Sequence, residues 1–167
     1  MKTKLFTLTL LLMSAGAMAQ NTATDVSAIK TVIEQESAAF RQGKADKVLS
    51  YWLNAPYVSH DYTEKGSGYL RGYGAVSKAI RKYIGDHPEM ATDKTVYKSH
   101  DYQIRVNGNS AWATFVTDAV NSTKKPIEPP MRSYDARYLE KANGGWKLVA
   151  VTGKSVPLST LSMTKAE

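Results

Sequence analysis

Apolar residues recur at Val26, Ile29, Val32, Ile33, Ala38 and Phe40, close to the 3.6-residue period of an amphipathic helix. Thr24 or Asp25 can cap its start, and Gly43 is placed to end it. A shorter helical stripe follows through Ala45, Val48, Leu49, Trp52 and Leu53, stopped by Asn54-Ala55-Pro56. The period then changes to two. Tyr57–Tyr62 reads as a strand, with Val58, His60 and Tyr62 on one face and Tyr57, Ser59 and Asp61 on the other. The glycine-rich Glu64–Gly74 segment reads as a loop or short hairpin. A third helix is predicted from about Ala75 to Ile84, with Val76, Ile80, Tyr83 and Ile84 inward and Lys78, Arg81 and Lys82 outward.

The second half of the chain is strand-like throughout. Thr95–Val106 is long enough to be bent or interrupted, Asn107-Gly108-Asn109 is a turn, and Ala111–Val120 returns beside it. Lys124–Pro130 holds three prolines and reads as an irregular connection. Two more strands, Arg132–Lys141 and Trp146–Thr152, flank Ala142-Asn143-Gly144-Gly145, whose Asn and Gly tolerate the positive φ of a tight hairpin. In the simplest register Tyr134, Ala136 and Tyr138 share a face with Trp146, Leu148 and Ala150, and Asp135, Arg137, Leu139, Lys147, Val149 and Val151 take the other. Such a hairpin cannot bury an aromatic face alone, so the three helices are expected to cover it. The layout is α+β, in one domain.

Composition narrows the setting. Lys2 and Lys4, the apolar Leu5–Met13 and the small-x-small Ala17-Met18-Ala19 form the pattern of a removable export signal, cut after Ala19. The apolar run is too short for a membrane span, so no membrane partner is expected in the mature form. The expected divisions are residues 1–19 as leader, 20–25 as a polar N-terminus, 26–156 as the domain and 157–167 as a tail. A periplasmic or secreted location follows from the leader. There is no cysteine, which excludes disulfides, thiol catalysis and Cys-based zinc sites. The formal charge of +7 falls to +5 without Lys2 and Lys4. Lys78, Arg81, Lys82, Lys124 and Lys125 are scattered and read as solvated surface rather than a nucleic-acid patch. His60, His87 and His100 show no metal-ligand spacing, and neither a phosphate loop nor a Gly-x-Ser-x-Gly elbow is present. No metal or cofactor is expected.

Three local patterns carry a family resemblance: Val48-Leu49-Ser50-Tyr51-Trp52 at the end of the second helix, Gly72-Tyr73-Gly74 entering the third, and Arg137-Tyr138-Leu139-Glu140-Lys141 followed by Asn143-Gly144-Gly145-Trp146-Lys147-Leu148. With the order of elements, they make the chain from Val26 to Val156 resemble the nuclear transport factor 2-like superfamily, in its SnoaL-like, ketosteroid-isomerase-like branch. The resemblance implies a cone-shaped α+β roll: three N-terminal helices packed on a curved antiparallel sheet, with a pocket between. It implies a homodimer through the convex face, with Trp146, Leu148, Tyr134 and Tyr138 toward the pocket and Asp135, Arg137, Val149 and Val151 outward. It also implies a protein that acts on an unknown small molecule, either as a cofactor-free acid/base isomerase, dehydratase or similar, or as a non-catalytic dimerisation or interaction module with a vestigial cavity; with the leader, such a protein is expected to be exported.

Candidate chemistry is sparse. His60 has an ordinary pKa near neutrality and is the acid/base candidate, or a satisfied strand-end histidine. Asp118 shares a strand face with Trp112, Thr114 and Val116, which makes it a candidate base, or a solvated carboxylate paired with Lys or Arg. Tyr62, Trp112, Tyr134, Tyr138 and Trp146 are the candidate ligand-binding residues, suited to a flat or ring-bearing molecule. Arg132 and Arg137 could hold an anion or form surface ion pairs.

Overall fold

The computed structural model describes residues 23–61, 68–93, 95–121 and 131–157. The leader, Tyr62, the 122–130 connection and the tail beyond 157 lie outside the described residues. Helix α1 spans 23–41, α2 Ala45–Ser50 and α3 Tyr73–Asp86. A 3-10 turn at Pro88–Thr92 follows α3. The strands are β1 Ser59–Asp61, β2 Tyr69–Arg71, β3 Thr95–Asn107, β4 Ser110–Asn121, β5 Met131–Ala142 and β6 Gly145–Pro157. They form one curved, unclosed sheet in the order β2-β1-β6-β5-β4-β3. The expected α+β roll is present. The sheet is mixed rather than wholly antiparallel, because β1 runs parallel to β6 while every other neighbour is antiparallel.

The helices cover one face of the sheet. Ile29, Ile33 and Ala39 of α1, Val48 and Leu49 of α2, and Val76, Ile80 and Ile84 of α3 form one core with Ala111, Ala113, Phe115, Leu139, Trp146, Leu148 and Val151. Burial of the Val, Leu, Ile and Phe side chains among them stabilises the fold by about 1.5–3 kcal/mol each. Short tethers hold the connections. The Leu53 N–H donates to Leu148 O at 2.9 Å, and the Leu148 N–H donates to Tyr51 O at 2.8 Å. Gly72, at φ 85°, donates its N–H to Val58 O at 2.7 Å and turns the chain from β2 into α3. That left-handed conformation explains the glycine.

The β5–β6 hairpin closes through Asn143 and Gly144, both at positive φ (52° and 78°), as a two-residue primed turn requires. Its register is not the simplest one. Tyr138 pairs with Ala150 and Leu139 with Leu148, so Val149 is an extra residue on β6. One inserted residue reverses the alternation beyond it. Trp146 and Leu148 therefore share a face with Val151, Gly153 and Ser155. That face is the one under the helices.

The expected sidedness of β5 is corrected by its other neighbour. Leu139, Arg137 and Asp135 lie opposite Ala111, Ala113 and Phe115, which are buried under the helices. Tyr138 and Tyr134 lie opposite Trp112 and Val116, on the face away from the helices. Trp112 and Tyr134 are 47% and 46% exposed there. Asp135, Arg137 and Val151 thus point inward, and Tyr134 and Tyr138 do not.

Candidate active site

A cavity of about 530 Å³ opens between the helix-side face of the sheet and the helices. Phe40, Tyr83 and Tyr97 supply aromatic wall; Glu36, Arg41, His60, Asp61, Asp135 and Arg137 supply charge and hydrogen bonding. Phe40 stacks on Tyr83, and Tyr83 stacks on His87. Arg41 lies over the Tyr97 ring, 4.7 Å from its centroid.

Glu36 is the group that the helical pattern did not single out. Ile29, Ile33, Glu36 and Phe40 follow one another at helical spacing, so a carboxylate occupies the apolar stripe of α1. It is only 8% exposed. The Trp52 Nε1–H donates to Glu36 Oε1 at 3.3 Å, and Ser37 Oγ lies 3.5 Å from Oε2. Burial pushes the Glu36 carboxyl above its usual range, against the opposing pull of Arg137, the Trp52 hydrogen bond, Arg41 and Ser37. A polar residue on an apolar stripe was the available signal.

His60 reaches the same cavity from β1, where it pairs with Val151 of β6. Its ring stacks on Trp52, with centroids 5.8 Å apart and planes at 24°. Burial pulls its pKa down to about 4; Arg137 adds to that shift and Asp61 opposes it. His60 is therefore neutral at ordinary pH and a weaker base than an exposed imidazole. Asp61, expected on the opposite face, also borders the cavity, and Thr152 Oγ1 donates to it at 3.3 Å.

Arg137 is 8% exposed, a cation set into the cavity wall. One guanidinium nitrogen donates to Ala136 O and to Thr152 O, both at 3.0 Å, and both terminal nitrogens lie 3.5 Å from Asp135 Oδ1. The guanidinium also sits over Phe115, 5.2 Å from the ring centroid. Gly153 leaves room for this pair, since a Cβ there would come within 2.6 Å of Asp135 Oδ1.

The remaining sequence candidates lie elsewhere. Asp118 is on the far face of the sheet, held by Arg132 through bonds of 2.7 and 2.9 Å and by His100 Nε2 at 3.1 Å. Arg132 chiefly holds its carboxyl below the usual range, which makes it a poor base. It does not join His60. Trp112, Tyr134 and Tyr138 are on that same far face. Trp146 is helix-side but outside the cavity lining: it is buried, and its Nε1–H donates to Asp25 Oδ1 at 3.0 Å. Among the expected ligand-binding residues that are described, none lines the cavity; Tyr62 lies outside the described residues.

The fold and cavity define a class, the NTF2-like α+β roll with a pocket between helices and sheet. Solved structures share it. An NTF2-like protein with a cystatin-like fold from Novosphingobium aromaticivorans aligns over 90% of this chain and 94% of its own, at TM-score 0.66 and 15% identity. A proposed dehydratase of the NTF2-like family from Streptomyces avermitilis aligns over 81% and 98%, at TM-score 0.64 and 19% identity. A proposed scytalone dehydratase from Novosphingobium aromaticivorans aligns over 83% and 91%, at TM-score 0.58 and 12% identity. At these identities the likeness is one of fold. No curated protein matches the sequence. The profile of the SnoaL-like domain matches residues 29–159, and the chain belongs to that family.

Proposed function

We propose that this protein binds a small ring-bearing molecule in the helix-side cavity and moves a proton on it without a cofactor, as an isomerase or dehydratase does. The observation that carries this reading is Glu36: a carboxylate more than nine-tenths buried, its pKa raised by burial, at the wall of a 530 Å³ cavity beside His60 and Arg137. Carboxylates made more basic by burial suit proton abstraction. Glu36 would take a proton from a carbon next to a carbonyl, leaving its electron pair delocalised onto the carbonyl oxygen. Neutral His60 and cationic Arg137 would stabilise that oxygen. Returning the proton to another carbon isomerises the molecule; delivering it to a departing hydroxyl releases water. The dehydratase-like neighbours support the reading by analogy only.

The test is deuterium uptake in D2O by a panel of aromatic and alicyclic ketones and β-hydroxyketones, preselected by thermal shift. At least one ketone should bind and exchange, and Glu36→Gln should retain binding while slowing exchange by roughly 10²–10⁴-fold. Equal exchange by the two proteins would remove Glu36 from the chemistry.

A second copy of the chain is the partner proposed for the far face, where Trp112 and Tyr134 stand exposed. Export, with Gln20 as the mature N-terminus, is proposed from the leader pattern and is checked by sequencing the N-terminus of the secreted product.

A further inference from the structure

We propose that Trp52 is the positioning residue of this site, coupling the Glu36 carboxylate to the His60 imidazole through one side chain. The inference rests on Glu36 being the proton carrier. Trp52 meets the two groups by different parts of its ring system. Its Nε1–H donates to Glu36 Oε1 at 3.3 Å, and its face stacks on His60 at 5.8 Å between centroids. Indole nitrogen is a donor only, so the contact commits one named oxygen of Glu36 as acceptor. The aromatic face shields one side of the imidazole, and shielding from water favours its neutral form.

The indole is itself held in place. Trp52 is 4% exposed and forms a parallel bridge with Leu148. The residues on either side, Tyr51 and Leu53, exchange backbone hydrogen bonds with Leu148 at 2.8 and 2.9 Å. The segment after α2 is thus stitched to β6, and the ring has little freedom to leave either partner. Sequence distance hides the arrangement: Glu36 comes from α1, Trp52 from the turn after α2, and His60 from β1.

Other charged groups act on the same pair. Arg137 and Arg41 face Glu36, and Arg137 and Asp61 face His60. The share belonging to Trp52 is separated by two substitutions that leave those groups in place. Trp52→Phe keeps an aromatic face and removes the N–H; Trp52→Leu removes the face as well. Side-chain NMR titrations of the full chain read Glu36 through its Cδ resonance, assigned against Glu36→Gln, and His60 through its imidazole nitrogens.

In Trp52→Phe the Glu36 titration should move upward, since a hydrogen bond to its ionised form is lost, while His60 stays where it was. In Trp52→Leu both should move upward, His60 toward an ordinary imidazole value as water reaches it. A merely structural tryptophan would lower stability and leave both titrations unchanged in the folded variants. Wild-type titration of Glu36 in Trp52→Phe overturns the proposal, as does wild-type titration of His60 in a folded Trp52→Leu. Should Trp52→Leu not fold, the Glu36 response in Trp52→Phe decides. The titrations need no substrate. A failed exchange assay with shifted titrations therefore rejects Glu36 as proton carrier without rejecting the coupling, and the converse result rejects the coupling alone.

Discussion

At the scale of single residues, the site is governed by burial more than by charge pairing. His60 illustrates the consequence. Its folded pKa of about 4 lies below the ordinary 6.5, so between those values the unfolded chain binds a proton that the folded chain refuses. The resulting stability is present above pH 6.5 and is lost as pH falls through that window toward 4, by about 3 kcal/mol in full. His60→Gln should flatten this component: urea unfolding of wild type and variant between pH 7 and pH 4 should show wild type losing about 3 kcal/mol more. Parallel stability curves would remove His60 from the acid response. Glu36 runs the opposite way, because a carboxyl raised by burial favours the folded state at low pH and disfavours it as pH rises through its folded pKa. The strand period placed His60 with Val58 on one face but sent Asp61 to the other, whereas both His60 and Asp61 border the cavity. Glu36 was harder to see because its place on an apolar stripe resembles an ordinary interruption of amphipathicity. Asp118 looked a suitable base from its strand neighbours alone, but its partners Arg132 and His100 arrive from two other strands.

At the scale of elements, the tip of the β5–β6 hairpin is fastened to the first turn of α1. Asp25 accepts from Trp146 Nε1 at 3.0 Å and pairs with Lys141 Nζ at 2.7 Å, and Lys141 chiefly lowers its pKa. Asp25→Ala should lower stability, mainly by leaving the Trp146 indole N–H without its acceptor. Chemical denaturation with an unchanged m-value would measure it, and a midpoint equal to that of wild type would show that the clasp is incidental. Asp25 was read as a possible helix cap; it instead joins a helix to a hairpin more than a hundred residues away in sequence. The helices themselves followed their periodicity closely, as did the Asn143-Gly144 turn. The faces of β5 and β6 did not. Both sides of that hairpin carry large apolar residues, so alternation alone left the inward face undecided, and a single extra residue at Val149 reversed the phase on β6.

At the scale of the whole molecule, the two faces of the sheet carry different roles. The helix-side face holds the core and the cavity, with Asp135 and Arg137 within it. The other face leaves Trp112 and Tyr134 exposed. If a second copy covers those rings, sedimentation should show a dimer that Tyr134→Glu converts to monomer, with at least a tenfold weaker association; this corresponds to about 1.4 kcal/mol. A wild-type protein that sediments as monomer at high concentration would dismiss that interface.

Local physics, available from the sequence by itself, determined the helical stripes, the positive-φ turns, the long strands and the α+β order, because periodicity and turn chemistry act between near neighbours. The resemblance of the Arg-Tyr-Leu-Glu-Lys and Trp-Lys-Leu patterns extended this to the family. Only the tertiary structure decided which face became the cavity and which groups meet there. A bulge set the phase of β6, the pairing with β4 turned Arg137 and Asp135 inward, and the stitching of Trp52 to β6 brought it against Glu36 and His60. Those outcomes depend on contacts between distant segments and on their shared removal from water, which no single stretch of the chain encodes.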